Sequence, residues 1–349
     1  MNSKYRFIPD RETGFLTEED TKAYFSRVGW AVFVLGIASS LASFGLSALI
    51  TGSLPQILEN SIASAIASHI LSLIAIYAVG TPLFYLVLKP LPKIKPFREK
   101  MKFGSFMGGF SIAILLMLVG NYISNIILTV IQTGLNTSTQ NPVEQAISPN
   151  DPAMIAVTTV FMVIVFPILE ELLFRKILCD RLLPLGEGYA IFVSAAIFGL
   201  YHGNFYQFAY AFLLGALFSL IYVKTGKLIY STVYHMLINF LGAVVAPWIV
   251  AQIDLERLYT VLESGTVDPA DPIWISMFLL MIYEAIIMVP AVFGIVLIVK
   301  AKNRKTVTLD TGILPPPKKH RIANIFCTVG VAAAVTYFVF TFVVSIIPR

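Results

Sequence analysis

The segment AMIAVTTVFMVIVFPILEELLFRKILCDRL, residues 153–182, decides the class of this protein. Its first 17 residues carry no charge, and then Glu170, Glu171 and Arg175 appear without the apolar run ending. About 20 mostly apolar residues cross a bilayer as a helix. A soluble core helix would not need such length, and a surface helix would interleave its charges every third or fourth position. The segment is about 45 Å long as a helix, so the sequence predicts a tilted or extended membrane span with ionisable groups inside it.

Outward from this segment, eight further apolar runs lie near 28–50, 62–88, 104–131, 188–203, 205–223, 228–250, 273–299 and 323–347. The chain of 349 residues is 57% hydrophobic and only 13% charged, against about 25% charged in an average soluble domain. That composition excludes a soluble enzyme, a disordered chain and a nucleic-acid binder. A net charge of +5 does not reverse this, because the basic residues sit between apolar runs and form no stripe. Two cysteines, Cys179 and Cys327, exclude a disulfide framework and a cysteine-rich zinc site. The expected fold is an all-α polytopic transmembrane helix bundle with about eight or nine spans. Its expected parts are a cytoplasmic N-terminal tail (1–27), membrane helices without a motif (28–152), a transmembrane core that carries the ionisable groups (153–250) and C-terminal helices with a basic cytoplasmic loop (251–349).

Orientation follows from the basic residues, which are retained on the cytoplasmic side. With the N-terminus inside, 23 of the 25 Lys and Arg residues fall in the tail and in the loops at 89–102, 175–181, 224–227 and 300–321. The opposite segments, 134–152 and 251–272, are polar or acidic and include Asp254, Glu256, Glu263, Asp268 and Asp271. The first apolar run is too long for the core of a cleavable signal and is expected to act as an anchor. The protein is therefore expected in a cell membrane, multi-pass, with a cytoplasmic N-terminus, and its short loops suggest a bacterial source. The string His202-Gly203-Asn204 breaks the fifth run. Irregular backbone at membrane depth survives only beside protein or a wet cavity, so this break is a candidate cavity wall.

Ionisable groups inside spans are costly and point to function by default. Glu171 and Arg175 are four apart and share a helix face, which makes them an internal ion pair. Glu170 points about 100° away from Glu171, so it needs a partner from another helix. His202 follows Phe198 at four residues, and His235 and Asn239 repeat that spacing. Measured from the cytoplasmic ends of their runs, Glu170 lies about 18 Å in, His202 about 21 Å, His235 about 10 Å and Asn239 about 16 Å. A carboxylate, two imidazoles and an amide on three helices at similar depth amount to a reaction site or an ion site. His69, Asn121, Asn125 and Glu284 are isolated and read as structural, and His320 lies in a basic loop.

The ordered set Glu-Glu-x-x-x-Arg, Phe-x-x-x-His and His-x-x-x-Asn resembles the CAAX protease and bacteriocin-processing (Abi) family of intramembrane endopeptidases. That family includes the type II CAAX prenyl endopeptidase. The resemblance covers about residues 153–245. It implies that Glu170 and His202 activate a water, while His235 and Asn239 stabilise the oxyanion. Glu171, Arg175 and Phe198 then act in support. The implied substrate is a peptide or membrane protein within the bilayer, with no nucleic acid and no obligatory cofactor; the sequence does not speak to oligomeric state. Three alternatives stay open from the residues alone. Zinc held by Glu170, His202 and His235 would make a metalloprotease. A transporter would use the same groups to bind an ion, but predicts paired broken helices. A non-catalytic immunity or scaffold protein would only bind a peptide or partner.

Overall fold

Apolar runs of this length fold as helices because a bilayer offers backbone N–H and C=O groups no other partner. The computed structural model describes residues 7–139, 141, 148–265 and 271–347, and Asp268 of the acidic segment lies outside them. Seven helices among the described residues are long and apolar enough to cross a membrane. They are α1 (Glu18–Ser53), α2 (Ser61–Leu88), α3 (Phe103–Leu135), α4 (Pro152–Leu185), α6 (Phe205–Thr225), α7 (Leu228–Ala251) and α8 (Ile273–Arg304). Two shorter apolar helices, α5 (Glu187–Tyr201) and α9 (Val329–Ser345), complete the bundle.

The expected eight or nine spans are thus corrected to seven. The fifth run is cut at Tyr201 because Gly203 turns the chain at φ +65° and Asn204 caps the next helix by accepting from Gln207 N. The ninth run is cut at Cys327 and Thr328, where the Thr328 side chain caps α9 by accepting from Val331 N. Both short helices end at one level, with the Phe205 and Phe342 rings 4.7 Å apart. The first helix also starts earlier than its apolar run. Thr17 caps it by accepting from Asp20 N, and Glu18, Glu19 and Asp20 sit at the positive end of the helix dipole.

The basic loops gather at one end of the bundle, as the charge bias requires. Backbone bonds join Ile94 to Asp180, Glu99 to Thr225, Glu187 to Asp310, Leu314 to Pro184 and Leu16 to Pro315. Lys224 pairs with Glu187, and His320 with Glu18. α5 and α6 therefore form a hairpin that enters and leaves at this end, which keeps the remaining helices in register even though α5 is short.

α6 is the central helix: 61% of its apolar window is buried, against 17–28% in the other long helices. Ala211, Tyr222 and Val223 face one core, built with α1, α2, α4, α5 and α9. Leu214, Leu217, Phe218 and Ile221 face a second core, built with α3, α7 and α8. The hairpin closes tightly because of two glycines. A Cβ on Gly199 would meet the Phe208 carbonyl oxygen at 2.9 Å, and one on Gly215 would meet the Phe198 ring at 2.9 Å. Small residues at membrane helix interfaces let backbones approach in this way.

Wide π-type turns interrupt α2 at Ile74–Gly80, α4 at Thr159–Val165 and α7 at Leu241–Val245. Pro82, Pro167 and Pro247 follow these turns within two residues. A proline inside a helix removes one donor and crowds the carbonyl four residues back, and a wide turn is one way to accommodate both effects. A fourth wide turn, Leu172–Cys179, has no such proline and carries Arg175. Between the two wide turns of α4, one regular stretch, Phe166–Glu171, holds both glutamates.

Candidate active site

Glu171 and Arg175 form the internal ion pair that their spacing implies. The guanidinium grips both carboxylate oxygens, at 3.1 and 3.2 Å, and both side chains are fully buried. Arg175 also donates to Ser194 Oγ at 3.0 Å, and Ser194 in turn donates to the Phe174 carbonyl at 3.1 Å. The guanidinium carbon lies 5.0 Å from the Phe198 ring centre and 5.9 Å from that of Phe218. α4 is thereby locked to α5 and α6 by a cation with most of its donors used.

Glu170 turns to the other face and reaches α7. Its Oε2 lies 3.5 Å from His235 Nε2, with the carboxylate side chain 16% exposed. On its other edge, His235 Nδ1 lies 3.3 Å from Glu171 Oε1, close in distance but too poorly directed to satisfy that nitrogen. His235 is thus bracketed by the two glutamates, and it is the imidazole in direct reach of Glu170. The Phe198 ring meets it edge-on at 5.7 Å.

His202 caps the end of α5 next to the Gly203 break. Its Nδ1 is 2.8 Å from the Phe198 carbonyl oxygen. A carbonyl only accepts, so Nδ1 carries the proton and Nε2 of the neutral ring keeps its lone pair. Phe198 therefore orients His202 twice, through its carbonyl and through its ring, 5.0 Å away and edge-on. The hairpin tip is satisfied by its own side chains. Asn204 Nδ2 donates to the His202 carbonyl at 2.7 Å and to Gln207 Oε1 at 2.9 Å, and Gln207 Nε2 donates to Tyr210 Oη at 3.0 Å. Asn239 Nδ2 donates to the Met162 carbonyl at 2.8 Å, within the wide turn that precedes Pro167.

Glu170, His202, His235 and Asn239 all line one cavity of about 190 Å³, and Phe198 forms part of its wall. Glu171 and Arg175 stand behind it. The cavity also takes His69 from α2, stacked on Phe161 at 4.8 Å, together with Gln207 and Tyr210 from α6. Sequence spacing treats His69 as an isolated structural residue, because nothing nearby in the chain marks it. Gln207 had a usable signal, a carboxamide inside an apolar run. Among the described residues, no three His, Cys, Asp or Glu side chains are grouped to hold a metal ion. Glu170 and His235 approach each other as a pair, and His202 keeps its Nε2 free on the same cavity wall.

Residues 152–241, the stretch that carries all of these groups except His69, match the Type II CAAX prenyl endopeptidase Rce1-like family. This region is homologous to the CAAX proteases. The match overlaps the stretch, about 153–245, over which the three motifs carry the resemblance. The chain is also 31% identical over 137 residues to the membrane-embedded CAAX protease MroQ of Staphylococcus aureus (strain USA300). That similarity covers 36% of this chain and 51% of the relative, so it spans about half the length of the curated protein it matches. No solved structure matches the chain. The helix that brings His69 to the cavity lies outside the Rce1-like region, as do α1, α3, α8 and α9.

Proposed function

We propose that this protein is an intramembrane endopeptidase that hydrolyses a peptide bond with a water activated by Glu170 and His202. His235 and Asn239 stabilise the oxyanion. The observation that carries this reading is the single cavity inside the Rce1-like region that all four side chains line. Glu170 is a carboxylate on the cavity wall whose polar neighbour is an imidazole. His202 has its Nε2 lone pair left for chemistry. The water oxygen adds to the substrate carbonyl carbon as its proton passes to this pair. The tetrahedral oxyanion then accepts hydrogen bonds from His235 and from the second N–H of Asn239, the first being held by the Met162 carbonyl. Collapse breaks the C–N bond, and the stored proton goes to the leaving amine. The 3.5 Å separation of Glu170 and His235 is long for a direct hydrogen bond, as is common before substrate tightens a site. Glu171 and Arg175 hold His235 and α4 in place.

The substrate class that fits is a peptide or membrane-protein segment presented within the bilayer. The individual substrate need not be identified for the test. Membrane fractions from cells carrying the wild type and from cells carrying Glu170→Gln are compared for newly formed peptide termini. Cleavage sites present only with the wild type support the reading, and identical termini in both overturn it.

The oxyanion role has its own signature. Asn239→Ala is expected to lower turnover by about 10²–10³-fold with little change in peptide affinity, because the bond forms in the transition state. The variant also strips the Met162 carbonyl of its donor, a cost of about 1 kcal/mol, which is too small to unfold the bundle. Turnover and affinity are measured side by side, and an equal loss in both would argue for ground-state binding instead.

The N-terminus and the basic end of the bundle are assigned to the cytoplasm of a bacterial cell membrane. In a background lacking the exposed Cys327, single cysteines at Thr137 and Ser264 are expected to label from outside the cell. Those at Lys95 and Lys305 are expected not to. External labelling at Lys305 would break the assignment after α7 and leave the Rce1-like region untouched.

A further inference from the structure

A second cavity of about 350 Å³ adjoins the catalytic one and shares Met162, Gln207, Tyr210 and Asn239 with it. Its far wall is Asn121 and Asn125 of α3, and Tyr206 of α6 closes one side. Among the described residues, no Asp, Glu, Lys, Arg or His lines it. The two α3 asparagines are four residues apart, hence on one helix face, and among the described residues neither side chain has a hydrogen-bond partner. Asn121 is partly buried and Asn125 exposed, so both carboxamides offer free donors and acceptors to whatever occupies the cavity.

We infer that this amide-lined cavity binds the backbone of an extended, unwound peptide segment next to the bond being cut. The inference rests on the peptidase reading above. A membrane-embedded substrate helix hides its carbonyls in hydrogen bonds to the residue four further on, and water reaches one only if the helix opens. Opening leaves several N–H and C=O groups without partners in a medium that supplies none. A carboxamide is the side chain closest to a peptide group, with two donors and an acceptor oxygen of two lone pairs. A wall of carboxamides without charge replaces the lost helical bonds and reads the backbone, so it tolerates many substrate side chains. Met162, Gln207, Tyr210 and Asn239 line both cavities, so a strand lying along Asn121 and Asn125 ends beside Asn239, which also lines the cavity of Glu170.

The test reads binding alone, in the full-length Glu170→Gln protein in lipid nanodiscs. The probes are a fluorescein-labelled decapeptide of alternating Ala and Leu, and the same peptide N-methylated at every second residue. Adding Asn121→Leu and Asn125→Leu is expected to weaken the unmethylated peptide about two- to tenfold per lost bond. N-methylation is expected to weaken binding to the Glu170→Gln protein by a similar factor, but to cost little more once both asparagines are gone. Equal binding of the unmethylated peptide with and without the asparagines overturns the inference. So does a full N-methylation penalty that persists in their absence, or no binding to either protein. If the double leucine variant does not fold, Asn125→Ser, at an exposed position, serves in the same cycle with about half the effect. Inactivity of the wild type would sink the peptidase reading and leave this binding result standing, whereas unaltered binding would sink the subsite alone.

Discussion

Glu170→Gln is expected to lower peptide turnover by about 10²–10⁴-fold, the range that a positioned general base supplies, while the protein stays folded. Gln keeps the shape and hydrogen-bonding capacity of Glu but cannot take a proton. The site tolerates the exchange because Glu170 is on the cavity wall and its polar neighbour, His235 Nε2, stands 3.5 Å away. No buried ion pair is lost with it. Glu171→Gln is the informative contrast. It breaks the two-point grip of Arg175, so its activity should fall together with its stability. Both variants are measured for turnover and for resistance to thermal unfolding. A well-folded, inactive Glu171→Gln beside an active Glu170→Gln would reverse the two roles.

The second large effect is on stability. Arg175→Met is expected to destabilise the protein by about 3–5 kcal/mol, because it leaves the fully buried Glu171 carboxylate without its cation. That corresponds to a loss of about 10²–10³ or more in the ratio of folded to unfolded protein. The loss combines the bidentate bond, the bond to Ser194 and the contacts with the Phe198 and Phe218 rings. Removing the partner as well should restore much of it, since Arg175→Met with Glu171→Leu leaves no orphaned charge. The double variant should nevertheless stay impaired in turnover, because His235 loses the carboxylate 3.3 Å from its Nδ1. Unfolding in a denaturing detergent titration, paired with turnover, checks both halves. A single variant as stable as the wild type would show that the ion pair is structurally idle.

Much of this was legible in the chain because the rules involved are local. The membrane class follows from apolar runs of about 20 residues, the clustering of loops from the basic residues between them, and the Glu171–Arg175 pair from a spacing of four on one helix. The family motifs were local too, each lying within one helix. The span count was less legible. A window of apolar residues does not see that Gly203 with Asn204 ends α5 early, or that Cys327 with Thr328 makes α9 start late. These are breaks of backbone geometry and capping set inside otherwise apolar sequence.

What the sequence by itself determined is which residues share a helix face, since about 100° per residue sets that without reference to neighbours. It separated Glu170 from Glu171 and grouped His235 with Asn239. Which face meets which was decided only by the tertiary structure. Helix axes are placed by the shapes that pack, here Gly199 and Gly215 drawing α5 onto α6 and the wide turn before Pro167 shifting α4. Those placements put His235, rather than His202, within 3.5 Å of Glu170. They brought His69 to the same cavity from a helix about 100 residues earlier in the chain, and they stood Asn121 and Asn125 along the next one. No spacing rule reaches across helices, because the contact between two of them depends on side-chain volume at every position along both.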